Sequence, residues 1–311
     1  MSENLFNVSV SPHIKSKETV STIMRDVLIA LLPATIAGIF FFGLRAALVV
    51  IVGVGSAMLS EYLFNKITKR PCTLRNLSAA VTGLLLALNL PVSIPLWMVA
   101  VGSAFAILVV KCFFGGIGQN IMNPALAARA FLLAAYPSQM THWTLDGRTT
   151  ATPLALLREG ASALPSMGNA FIGNNMAGCI GEVSALALLI GGAYLLYRKV
   201  ISWHIPVSYI GTVLVLTTVM GRDGFMSGNG LYEILIGGLM LGAFFMATDY
   251  TTTPSTKKGQ LIFGVGCGLL TSLIRLFGGY AEGVSYSILI MNLLVPVIDK
   301  WTRPRVFGGA K

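Results

Sequence analysis

Charge is what this sequence has least of. Only 11% of its 311 residues are Asp, Glu, Lys or Arg, against about a quarter in a soluble domain. Together with a mean hydropathy of +0.76, that deficit excludes an ordinary water-soluble domain and points to an integral membrane protein. Cysteine is sparse too. Cys72, Cys112, Cys179 and Cys267 are the four in the chain, and none forms a C-x-x-C pair, which argues against an iron–sulfur or zinc site built from this chain alone. Histidine occurs three times, and His142 has no nearby orienting carboxylate except Asp146, so a Ser/His/Asp hydrolase is not supported. No Gly-x-Gly-x-x-Gly stands in a strand–turn–helix context, so NAD binding by this chain is not expected. Acidic residues are outnumbered 12 to 22, for a net charge of +10. The basic residues sit mostly in short loops between apolar runs, where membrane orientation accounts for them and nucleic-acid binding is not expected.

What the chain does have is apolar runs of membrane length, and 34 glycines, which membrane helices tolerate and use for close packing. The runs predict about ten helices near 27–43, 45–64, 77–91, 95–113, 121–136, 180–197, 203–220, 231–247, 260–277 and 283–299. Residues 1–26 read as a polar, amphipathic cytoplasmic segment, so the run from Val27 is a first span and not a cleaved leader. Several spans are short and carry glycine, proline or asparagine, as expected where backbone lines an interior site. Lys111-Cys-Phe-Phe-Gly-Gly116 and Arg275-Leu-Phe-Gly-Gly279 each precede a fifth span. Five helices per half would place two repeats, 27–136 and 179–300, in opposite orientations.

Placing the N-terminus in the cytoplasm puts Lys66, Lys69, Arg70, Arg75, Lys111, Arg198, Lys199, Lys257 and Lys258 in inside loops. The tail, 301–311, follows Lys300 and adds Arg303, Arg305 and Lys311. The outer loops then hold only Arg45, Arg148, Arg158, Arg222 and Arg275. Both termini are therefore expected to be cytoplasmic, and the long connection 137–178 external. Trp97, Trp203 and Trp301 at span ends read as interfacial anchors.

Four constellations carry candidate chemistry. In Gly115-Gly-Ile-Gly-Gln-Asn-Ile-Met-Asn-Pro-Ala125, Asn123 suits an N-cap and Pro124 the first helical position. Arg129 lies inside the span that follows, where a buried guanidinium requires an anion or a carboxylate. Glu61, Glu182, Glu233 and Asp249 stand at span edges. Glu182 could be a helix-dipole partner, while Asp249, among threonines, could be ligand to a hard cation on an ion path or be neutralised by Lys257 and Lys258. The polar stretch Asp146-Gly-Arg-Thr-Thr-Ala-Thr-Pro-Leu-Ala155 reads on composition as solvated loop.

Several of these motifs occur together in one known family. The chain resembles, essentially end to end, the membrane subunits that include RnfD of the Rnf complex and NqrB of the sodium-pumping NADH:quinone reductase. The likeness rests on Gly115–Ala125 with Arg129-Ala-Phe-Leu132, and on Asp146–Leu154. It continues through Gly181-Glu-Val-Ser-Ala-Leu186, Ala247-Thr-Asp249 with Thr253-Pro254, and Glu282-Gly-Val284 with Met291-Asn-Leu-Leu-Val-Pro296. It implies FMN joined through its phosphate to a threonine hydroxyl in a Ser/Thr-Gly-Ala-Thr pattern. Here that pattern reads Thr149-Thr150-Ala151-Thr152, so Thr152 is the acceptor and Thr150 replaces the usual glycine with a stiffer, β-branched residue. Asn123, Arg129 and Glu182 are carried as cofactor-site candidates, Asp249 as a candidate cation path, and no residue as catalytic. The resemblance further implies a non-covalent riboflavin nearer the cytoplasmic half, with no residue pattern to fix it. It also implies membrane lipid and Rnf subunits A, B, C, E and G as partners, in a bacterial cell-membrane complex passing electrons between ferredoxin and NAD, coupled to Na⁺ or H⁺ movement. The alternative is a flavin-free channel or secondary transporter for a small polar solute.

Overall fold

The structure, a computed structural model, describes residues 18–145, 148–159, 164–174, 176–221, 226, 228–279 and 282–304. Asp146-Gly147 and Arg222 lie outside them. The described chain is helical and follows the apolar runs: α1 (Val20–Phe42), α2 (Leu44–Ile67), α3 (Ser78–Leu88), α4 (Leu96–Phe105) with a π-helical continuation over Ala106–Cys112, and α5 (Pro124–Ala135). The long connection holds α6 (Pro137–Met140), a two-residue antiparallel pairing of β1 (Thr144–Leu145) with β2 (Arg148–Thr149), α7 (Pro153–Arg158) and α8 (Met167–Ile172). Then come α9 (Ala185–Tyr197), α10 (His204–Val219), α11 (Gly230–Leu235), α12 (Leu239–Leu241) with a π turn over Gly242–Met246, α13 (Lys257–Phe277) and α14 (Val284–Thr302). Among the described residues, α1, α2, α13 and α14 are long and apolar enough to cross a membrane by length and composition, and α3, α4, α5, α9 and α10 are shorter apolar helices. Trp97, Trp203 and Trp301 are all exposed at helix ends.

Among the differences from the sequence reading, two have a clear local reason. The first helix starts at Val20 and not Val27, because Thr19 and Thr22 form a reciprocal capping box that supplies the orphan amides of the first turn. Asp26 is helical and buried there, paired with Arg198 at 3.0 Å. The expected span 231–247 is broken at Ile236–Gly238. Gly237 has a φ of +71°, a left-handed conformation that favours glycine, and a Cβ on Gly238 would lie 2.6 Å from the Glu182 carboxylate.

Small residues set the helix packing. A Cβ added to Gly83 on α3 would stand 2.5 Å from the Gly53 carbonyl oxygen and 2.9 Å from Ala57 Cβ on α2. Gly53 and Ala57 thus face Gly83 and Ala87, two small-x-x-x-small rows in register. Where α10 meets α13, Gly264 and Gly268 receive Ser208 and Thr212 in the same manner. There is no apolar driving force between helices in lipid, so such close approach supplies the attraction through dispersion contacts.

Non-helical backbone is buried where the two halves meet. After α3, residues Leu88–Pro91 run beside Cys179–Gly181. Ile180 N donates to Leu90 O at 3.1 Å and Gly181 N to Leu88 O at 2.8 Å, and Pro91 bridges Cys179. Cys179 Sγ donates to Asn89 O at 3.1 Å. Exposed to hydrocarbon, these groups would be unsatisfied; paired with one another, they are tolerated. This seam places Glu182, three residues beyond Cys179, deep in the interior at 4% exposure.

Candidate functional site

Thr152 lies on the wall of a cavity of about 610 Å³, within the 300–1,000 Å³ range of small-molecule sites. Two features of the local chain put it there. Pro153 at the first position of α7 and the Thr152 side chain accepting from Ala155 N at 3.2 Å fix the turn. Upstream, Thr150 N donates to Trp143 O at 3.1 Å and extends the short hairpin, so that Thr150, Ala151 and Thr152 all face the same space. Thr150 is absent from the positive-φ residues. The left-handed conformation that favours glycine is therefore not required at this position. The Thr150 Oγ1 is buried with no hydrogen-bond partner among the described residues.

The rest of the lining divides by chemistry. Leu133, Met140, Trp143 and Tyr286 offer an apolar and aromatic surface, while Arg129 and Arg158 bring positive charge. Arg158 Nη1 donates to Gly279 O at 2.6 Å, which ties α7 to the chain that precedes α14.

Arg129 forms the floor. It is 7% exposed, and its guanidinium donates to Ser285 Oγ at 2.8 Å, to Asn89 Oδ1 at 3.3 Å and to the Glu282 carboxylate. Its Nη2 also lies 3.5 Å from Cys179 Sγ and 3.8 Å from Glu182 Oε1. The requirement for a carboxylate partner is thus met twice. Cys179, Glu182 and Glu282 bring their ligand atoms within 4.8 Å of one another, a spacing that could suit a metal, yet Arg129 Nη2 already touches all three. Glu282, Cys179, Thr150, Trp143, Arg158 and Tyr286 were not singled out as site residues from sequence. Glu282 stood only within a family motif.

Asn123 and Asp249 belong elsewhere. Asn123 caps α5 by accepting from Ala125 N at 3.0 Å, and its amide donates to Met246 O at 3.2 Å. Arg129 is six residues further along the same helix, about 9 Å at the usual rise, so Asn123 is not brought to Thr152. It faces a second cleft of about 90 Å³ with Asp249, Lys111 and Asn120. Asp249 Oδ2 accepts from Thr251 at 3.0 Å and Thr252 at 3.4 Å. Burial pushes this carboxyl up from its ordinary range, while those hydroxyls hold it down. At 90 Å³ the cleft is too small for a flavin ring as it stands.

Two of the charges counted for orientation are not loop charges. Lys111 is buried in the π segment, donating to Glu61 at 3.0 Å and to Ser78 Oγ at 2.7 Å, and Arg275 is fully buried in the last turn of α13 beside Glu233 at 3.8 Å. The two Phe-Gly-Gly motifs therefore lie at the ends of the π segment Ala106–Cys112 and of α13, each headed by a buried base next to an acid.

Similarity to known proteins extends over the whole chain. The model of the NQR2, RnfD, RnfE family matches residues 7–308. A relative from Acetobacterium woodii, named as the D subunit of a Na(+)-translocating ferredoxin:NAD(+) oxidoreductase complex, is 50% identical over 100% of this chain and 98% of its own length. One from Clostridium ljungdahlii, named as the D subunit of a proton-translocating ferredoxin:NAD(+) oxidoreductase complex, is 47% identical over 98% of this chain and 97% of its own. The D subunit of the ion-translocating oxidoreductase complex of Aliivibrio salmonicida is 35% identical, with 98% and 99% coverage.

Proposed function

We propose, from the premise that this chain belongs to the NQR2, RnfD, RnfE family, that it is the membrane-embedded D subunit of an ion-translocating ferredoxin:NAD⁺ oxidoreductase and carries FMN as a phosphoester on Thr152. The observation that carries the reading is the cavity of about 610 Å³ at the Thr152 hydroxyl. Its size suits a flavin, Trp143 and Tyr286 would offer aromatic surface to a ring, and Arg158, with donors left beyond its bond to Gly279 O, would meet negative charge. The hydroxyl oxygen keeps a lone pair when esterified, so its bond from Ala155 N can persist. A flavin so held supplies one- or two-electron chemistry, and the chain supplies its tether, its cavity and its electrostatics. The other Rnf subunits are its partners in this reading.

The architecture we assign is ten spanning segments in two inverted repeats, α1 to α5 and α9 to α14, with α11 and α12 counted as one. Two parallels support it: α2 packs on α4 as α10 packs on α13, and Lys111 and Arg275 each stand near the end of the fourth segment of a half, beside a buried acid. Without Lys111 and Arg275, this threading still assigns exposed Lys66, Lys69, Arg70, Arg75, Lys199, Lys257, Lys258, Lys300 and Arg303 to one side, which favours cytoplasmic termini and an external Thr152 loop. Relatives with nearly equal identity are named for Na⁺ and for protons, so overall similarity does not choose the coupling ion. Asp249 with its two threonine hydroxyls is our candidate for the cation path.

The test is direct. Co-expressed with a flavin transferase, purified and denatured, the wild-type subunit should give a fluorescent gel band, and Thr152→Ala should abolish it. A non-fluorescent wild type would overturn the flavin reading and favour a flavin-free transporter. Fluorescence that persists in Thr152→Ala would move the attachment to Thr149 or Thr150.

A further inference from the structure

Glu182 and Glu282 converge on one guanidinium. Arg129 supplies a single positive charge, and both carboxylates lie against it. The other groups facing the cluster add no compensating charge. Asn89 from the end of α3 and Ser285 on α14 are neutral, as is the Cys179 thiol, which donates to a carbonyl. Arg275 on α13 is engaged with Glu233 and with the Glu233 and Ile236 carbonyls. Arg158 and Glu159, which also line the larger cavity, carry opposite charges. Fully ionised, the cluster would bury one uncompensated negative charge, which a low-dielectric interior disfavours strongly.

The geometry offers a resolution. Glu182 is 4% exposed, and its Oε1 has no hydrogen-bond partner among the described residues. The nearest carboxyl oxygens of Glu182 and Glu282 lie within 4.8 Å of one another, and two buried carboxylates so close repel unless one of them holds a proton. Both line a small void of about 10 Å³ that also touches Thr152, at the lower limit for one water molecule. A second full cation in that space would face the guanidinium, whereas a proton would not.

We infer that Glu182 and Glu282 hold one proton between them, forming a proton-binding site on the floor of the Thr152 cavity. Glu282 lines the large cavity and the small void alike, so it is the exchange point, and Glu182 is the buried end. That the occupant of the cavity is a flavin rests on the reading proposed above; the proton site itself does not. Negative charge gained by a cavity occupant would strengthen the hold on the proton, and that couples the site to redox state.

Infrared difference spectroscopy tests this on the purified subunit. A hydrogen-bonded, protonated carboxyl band that shifts in D₂O should be present at neutral pH in the wild type and in flavin-free Thr152→Ala, and absent in Glu182→Gln. Because glutamine mimics the protonated acid, Glu182→Gln should fold with wild-type thermal stability, whereas a purely structural ion pair with Arg129 predicts a marked loss. In the loaded protein, Glu182→Gln should flatten the pH dependence of the flavin potential. Absence of the band, its persistence in Glu182→Gln, or its appearance only when Na⁺ is withdrawn would each overturn the proposal. A band without gel fluorescence removes the flavin and leaves the proton site; fluorescence without the band does the reverse.

Discussion

Replacing Lys111 by methionine would leave the Glu61 carboxylate, 3% exposed, without the ammonium that stands 3.0 Å away. Removing one member of a buried ion pair typically costs about 3–5 kcal/mol, while replacing both is far milder. Lys111→Met should therefore lower the thermal unfolding midpoint in detergent sharply, and Lys111→Met with Glu61→Gln should recover most of it; equal losses would mean that the pair is not coupled. Lys111 also marks a limit of reading sequence. Next to a glycine turn, a lone lysine looks like a loop charge, and its acid lies 50 residues away. Arg129 was more legible, because a guanidinium inside an apolar run demands a partner. Which acid would answer was not legible, since Glu282 is 153 residues distant.

At the scale of elements, the helix–helix rows make a sharper prediction than any apolar surface does. Gly83→Leu would drive a side chain into the Gly53 carbonyl at the α2–α3 contact, whereas Gly55, on the same helix as Gly53, has nothing within 4 Å of an added Cβ. Gly83→Leu should give aggregated or poorly inserted protein by size-exclusion chromatography, and Gly55→Leu a profile like the wild type. The existence of the helices could be read from sequence because apolar length alone dictates them. The π segments 106–112 and 242–246 could not. A shifted hydrogen-bond register is chosen by tertiary demands such as the reach of Lys111 to Glu61, and it leaves no local composition. The same holds for the break at Gly237-Gly238, where the glycines are visible but the approach of Arg275 to the first and of Glu182 to the second is not.

For the molecule as a whole, the proposed orientation can be read out by a thiol already present. Of the four cysteines, Cys72 alone is exposed, and Cys112, Cys179 and Cys267 are buried. An impermeant maleimide should label Cys72 in inside-out vesicles and not in intact cells. In a Cys72→Ser background, a cysteine at exposed Ser138 should behave in the opposite way. Labelling of both from the same side would refute the inverted-repeat topology.

The paired backbone at Leu88–Pro91 and Cys179–Gly181 has a consequence for biogenesis. The carbonyls of Leu88, Asn89 and Leu90 find their donors in a segment translated about 90 residues later, roughly 5–20 s at ordinary synthesis rates. Until then the nascent first half carries open backbone groups at membrane depth, in a setting where each such group is costly. The two halves should thus be obligate companions: produced separately, neither would be long-lived, and co-production from two transcripts should rescue both.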